Sequence, residues 1–167
     1  GTFPSVTNIT GSGLKLNVQI TEAGKAYYVV LPANHASLPT TAAQVKAGTD
    51  GADTAVTLKG EITLAKDTAA SVEVTGLQSE TAYKVYVVAE DGAAAPNLQT
   101  GITVKDATTL DTTAPVFAGT FPSVTNITGS GLKLNVKLNE AGKAYYVVLS
   151  STAAAPSAAQ VKAGKDA

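Results

Sequence analysis

The sequence predicts an all-β chain: a tandem antiparallel β-sandwich of about seven strands with one short helix after the third strand, followed by a truncated second copy. Three observations predict it. Gly1 to Leu31 recurs as Gly119 to Leu149 with three of 31 positions changed. Apolar and polar residues alternate at period two along its best-defined segment, the mark of a strand with one buried face. Short runs of this kind are broken by Gly, Asn, Asp and Pro, which is how antiparallel strands and their turns read. A repeat distance of about a hundred residues exceeds the roughly 20 to 50 of a solenoid and matches one folding domain. The expected organisation is therefore a complete module over residues 1–110, a Pro-containing linker over 111–118, and the first half of a second module over 119–167.

In chain order, the first expected strand is Ser5 to Thr10. The second and clearest is Leu14 to Thr21, where Leu14, Leu16, Val18 and Ile20 alternate with Lys15, Asn17, Gln19 and Thr21. The second copy supports this pleat: Ile20 becomes Leu138 on the inner face, while Gln19 and Thr21 become Lys137 and Asn139 on the outer face. Lys25 to Leu31 is the third strand. A short helix follows, because Thr41 with Gln44 three residues later is a capping box and Gly48 is a stop. Ser157, Gln160 and Gly164 repeat it. The remaining strands are Gly60 to Leu64, Ser71 to Thr75, Ala82 to Ala89 and Ile102 to Lys105.

The run Val74-Thr-Gly-Leu77-Gln-Ser-Glu-Thr81-Ala-Tyr83-Lys-Val85-Tyr-Val87 resembles the corresponding segment of fibronectin type III domains, with the pattern G-L-x-x-x-T-x-Y-x-V-x-V. The resemblance implies that Leu77 is a core residue, Thr81 a turn residue, and Tyr83 a corner tyrosine bonding back to nearby backbone. It covers roughly residues 4–110, and its first half again over 122–149. The chain departs from the family by lacking a Trp on the second strand and by carrying the helix, so it is similar to a bacterial type III or immunoglobulin-like variant. Asp111-Thr-Thr-Ala-Pro115 resembles the junctions between tandem repeats of large bacterial surface proteins, and Pro115 holds Ala114 extended.

Composition narrows the function classes. The chain has 167 residues, 44% of them apolar, enough for an ordinary core. All 12 basic residues are Lys, they are scattered, and the net charge is −1. Nucleic-acid binding calls for a basic, usually Arg-rich stripe, and a membrane-surface helix for a basic face, so neither is expected. The absence of Cys removes disulfides, zinc-thiolate sites and thiol catalysis. A Cys-free, Thr- and Ala-rich β chain suits the outside of a bacterial or archaeal cell. Without an initiator Met or an apolar leader, it reads as a piece of a larger exported protein.

No catalytic set emerges, and an enzyme is not expected. His35, the lone histidine, lies in the Pro32 to Pro39 loop and reads as a solvated loop residue rather than part of a Ser-His-Asp site. Glu90, Asp91, Asp106 and Asp111 are candidate calcium ligands if they gather at one pole beside the linker; otherwise they are turn and strand-end acids. Of the Tyr27-Tyr28 pair one ring is core and the other surface, and Tyr28 with Tyr86 is the candidate platform for a polysaccharide. The expected function is a non-catalytic extracellular spacer or building unit of a surface protein, fibre or surface layer. The alternative is an adhesive or carbohydrate-binding accessory module. The partners expected are neighbouring repeats and, through the truncated copy, a second chain. That copy carries three strands and the helix, and the face of Leu132, Leu134, Val136 and Leu138 would stay open to water. The natural polypeptide is therefore expected to continue past Ala167 with a segment like Thr49 to Leu110.

Overall fold

A computed structural model describes residues 2–167, which divide into two compact units, one running to Thr112 and the other from Thr113 to Ala167. The regular elements are mostly strands in antiparallel sheets, with two short helices. The first unit has seven strands: β1 Ser5–Thr7, β2 Gly13–Val18, β3 Gly24–Pro32, β4 Lys59–Leu64, β5 Ala70–Thr75, β6 Ala82–Asp91 and β7 Thr103–Thr108. Helix α1, Ala42–Ala47, lies between β3 and β4. The strands form a three-stranded sheet in the order β1-β2-β5 and a four-stranded sheet in the order β4-β3-β6-β7.

Period two accounts for the first sheet. Leu14, Leu16 and Val18 point inward at 2% exposure or less, opposite Val74, Val72 and Ala70 of β5. On the facing sheet, Ala26, Tyr28 and Val30 of β3 and Val85 and Val87 of β6 join the same apolar layer with Leu64, Leu77, Tyr83 and Ala107. Two sheets thus share one core.

β3 and β6 also bury their other face. Val29, Leu31, Tyr86 and Val88 form a second cluster with Ala42 and Val45 of α1 and with Val56. This explains why both strands read as continuous apolar runs, as strands covered on both faces do. The helix itself is locally encoded. The Thr41 hydroxyl accepts the Gln44 N–H at 3.3 Å, the Gln44 side chain accepts the Thr41 N–H at 3.2 Å, and Gly48 closes the helix at φ 71°.

Several strand ends differ from expectation, each for a visible reason. β1 stops at Thr7 because Asn8 turns to φ 49° and Thr10 closes a turn onto the Gly13 carbonyl. β2 stops at Val18 because the next residues bind the Ala65 to Thr68 turn instead: Gln19 donates to the Asp67 carbonyl at 2.8 Å and the Asp67 N–H donates to Ile20 at 2.9 Å. β6 runs on to Asp91, and β7 is displaced to Thr103–Thr108, where its alternate residues match β6.

The second unit departs further. It contains β8 Ser123–Thr125 paired with β9 Lys133–Asn135, and helix α2 Ala158–Ala163. The third strand expected near residues 143–149 is not formed. In the first unit the same sequence is held between β4 and β6; nothing among the described residues of the second unit takes their place. A strand needs partners, whereas α2 needs only its own capping box of Ser157 and Gln160, and it forms. Part of the expected linker also belongs to this unit. Phe117 bridges Leu138, and Val116 and Asn139 exchange hydrogen bonds. Thr112, by contrast, is bonded to Ser79 of the first unit.

Candidate functional site

The turn from β5 to β6 concentrates the polar order of the first unit. Tyr83 is 4% exposed, and its hydroxyl accepts the Gln78 N–H at 2.9 Å. From the other side the Thr109 hydroxyl accepts the Thr81 N–H at 2.9 Å and donates to the Gln78 carbonyl at 2.5 Å. Thr81 donates its own hydroxyl to Ser79 at 2.9 Å, and Leu77 is buried beneath the turn. Both main-chain groups of Gln78 are thereby satisfied by side chains anchored on β6 and just past β7. Sequence reasoning did not find Thr109, whose neighbours form an unremarkable Thr-rich run.

At the opposite end of β6, Glu90 is buried against α1. Its carboxylate accepts hydrogen bonds from Lys46 and, at 3.0 Å, from the Tyr27 hydroxyl. The Lys46 ammonium holds the Glu90 carboxyl below its ordinary range, and Glu90 in turn raises Lys46. Burial, then the Glu90 carboxylate, raises the Tyr27 hydroxyl. Lys46 also sits 5.7 Å from the centre of the Tyr27 ring. This trio ties the helix to the sheet.

The four acids named as calcium candidates do not gather. Glu90 is committed to Lys46 and Tyr27. Asp91 accepts from Asn97 and from the Ala93 N–H, organising its own loop. Asp106 lies opposite Lys84 in the β6–β7 register and accepts its ammonium at 2.8 Å. It sits toward the start of β6, and six residues of extended chain, about 20 Å, separate that end from Glu90. Asp111 follows β7, beyond Asp106. The expectation of one acidic pole is corrected: the antiparallel pairing of β6 and β7 sends the two pairs of acids to opposite ends of the sheet. Among the described residues no three acidic, His or Cys side chains are grouped to hold a metal.

The tyrosine platform is likewise corrected. Tyr28 is 9% exposed and faces the intersheet core, where its ring crosses Gly60; a Cβ there would lie 2.8 Å from Cζ. Tyr86 is 4% exposed on the other face of the sheet, packed in the cluster that α1 covers. The two rings share no surface. His35 is not simply solvated either. Its Nε2 lies 3.1 Å from Asp50 Oδ2, while Asp50 Oδ1 accepts the Ala52 and Thr54 N–H groups at 2.9 Å each. The hydrogen bond to His35, then that from Thr54, holds the Asp50 carboxyl low. The pair staples the loop preceding α1 to the turn following it. Pro115 is exposed, one residue before Val116 pairs with Asn139.

The second unit carries a large apolar recess of about 810 Å³, lined by Ile127, Leu132, Leu134, Val136, Tyr146 and Val148 among others. In the first copy the same residues are Ile9, Leu14, Leu16, Val18, Tyr28 and Val30, which are the core or pack against it. There they are covered by Val72 and Val74 of β5, Leu77, and Tyr83, Val85 and Val87 of β6. In the second copy Val136 is 47%, Tyr146 65% and Val148 66% exposed. No protein-family model, no curated protein and no solved structure matches the chain.

Proposed function

We propose that the chain is a non-catalytic repeat module of the fibronectin type III or bacterial immunoglobulin-like kind, serving outside the cell as a spacer or building unit in a larger assembly. The observation that carries this reading is the repetition: 31 residues recur almost unchanged, and the first occurrence is built into a two-sheet unit with its own core. Near-identical domain-sized repeats supply length and spacing, and a two-sheet unit transmits load through its backbone ladders. Supporting the type III assignment are the two-sheet architecture and the buried corner tyrosine, Tyr83. The fourth strand favours it over the immunoglobulin constant arrangement, since here β4 pairs with β3 rather than joining the sheet of the first, second and fifth strands. The sugar-binding alternative rested on Tyr28 and Tyr86, and both are buried.

Pulling single molecules by their ends tests the mechanical reading. Ser5–Thr108 should yield in one discrete event that releases about 35 nm of chain, at roughly 3.4 Å per residue. Gradual extension without a force peak contradicts a load-bearing module. Antibodies raised against residues 2–112 should label intact source cells; labelling only after permeabilisation contradicts the location.

A further inference from the structure

We propose that the recess of the second unit is an acceptor site for a polypeptide segment of the Lys59–Thr108 kind, added as strands to β9 and to residues 143–149. The inference stands on the repeat geometry and goes beyond the proposed structural role.

Shape is the first argument. The recess is lined by the same residues that Val72, Val74, Leu77, Tyr83, Val85 and Val87 cover in the first unit. Its surface is already that of a half-core, and the matching half is known residue by residue.

Charge is the second and independent argument. In the first unit three acids of the β4–β6 stretch meet three lysines of the stretch now repeated. Lys25 pairs with Glu61 at 2.8 Å, Lys15 with Glu73 at 3.8 Å, and Lys46 with Glu90. The second unit repeats the lysines as Lys143, Lys133 and Lys162. None of the three forms an ion pair among the described residues. Lys162 sits 5.9 Å from the Tyr145 ring centre, repeating the 5.7 Å placement of Lys46 over Tyr27. The apolar face and the lysines around it are together complementary to a segment with acids at the Glu61, Glu73 and Glu90 positions and alternating apolar residues between them.

A second copy docking face to face fits less well, because two copies of the site would oppose lysine to lysine. A swap of Lys59–Thr108 between two chains opens one first unit for every second unit it fills.

The test uses the full chain and a synthetic polypeptide of residues 59–110 as probe. Light scattering should show a monomer that gains one probe per chain. Amides at 143–149, which lie in no strand, should slow in hydrogen exchange by about 100-fold on binding, the behaviour of strands joining a folded sheet. Lys143→Glu should weaken binding by about three-fold, the scale of an exposed ion pair, and Glu61→Lys in the probe should restore it. A chain that is a dimer without probe and already protected at 143–149 overturns the proposal in favour of a second copy. Absence of mass gain and of protection overturns it outright, as does protection that changes only within residues 13–32. A probe that aggregates is replaced by residues 59–110 fused after Ala167 through a flexible linker. That chain should be monomeric and protected at 143–149, and an unprotected 143–149 overturns the proposal.

Discussion

Replacing Thr109 by Val probes the corner on which the β5–β6 turn rests. Valine keeps the volume and removes the hydroxyl, so the Thr81 N–H and the Gln78 carbonyl lose their partner in one step. Thr109 is 3% exposed, so water reaches that hydroxyl's place poorly. Each buried main-chain group left unpaired costs about 1–3 kcal/mol. The Gln78 side chain is exposed and the turn can relax, which favours the lower half of that range and a total of about 2–3 kcal/mol. Thr109→Ser keeps the hydroxyl and should cost under about 1 kcal/mol. Tyr83→Phe strands only the Gln78 N–H and should cost about 1 kcal/mol. Because Tyr83 and Thr109 hold the same residue, their double substitution should not be additive. Urea unfolding followed by circular dichroism reads all four variants, with an unchanged slope and, for Thr109→Val, a midpoint lower by about 1–2 M. Equal midpoints for Thr109→Val and Thr109→Ser would refute the role assigned to this hydroxyl.

Three further outcomes are expected. Leu16→Ala should destabilise the first unit by about 2–5 kcal/mol, since Leu16 is fully buried; Leu134→Ala, the same change in the open copy, should cost under about 1 kcal/mol by the same assay. Glu90 and Asp50 are both held below their ordinary values of 4.5 and 3.8, so the stability they contribute is present above those values and lost as pH falls through the lower folded-state values. Urea midpoints measured from about pH 6 down to 3 should therefore fall, and Glu90→Gln should flatten part of the decline; an unchanged slope would remove Glu90 from the account. Melting curves with calcium and with a chelator should coincide, because Glu90, Asp91 and Asp106 already have protein partners; a rise in melting temperature on adding calcium would contradict that.

What could be read in the sequence was what short-range physics determines. Alternation at Leu14, Leu16 and Val18 located β2 and its buried face. Thr41, Gln44 and Gly48 located α1 almost to the residue, and the same signal located α2 even in a unit with little other regular structure. What was not legible depended on which surfaces meet. Tyr86 looks like a surface ring until α1 is seen to lie over that side of β3 and β6. Glu90 was singled out for a metal when its partner was Lys46, 44 residues away on that helix. His35 and Asp50 are joined by loop geometry that no periodicity encodes. The clearest lesson is the identical stretch Lys25 to Leu31 and Lys143 to Leu149: one is strand and the other is not, because a strand needs a neighbour to pair with and sequence identity does not supply one.

Hydrogen exchange on the monomeric full chain, resolved by residue, tests the central claim most directly: that one sequence is a complete half of a core in its first copy and an open half in its second. Amides of Gly24–Pro32 should exchange only through unfolding of the first unit, while those of 143–149 exchange within about ten-fold of the unstructured rate. Equal protection of the two stretches in a monomer would contradict it.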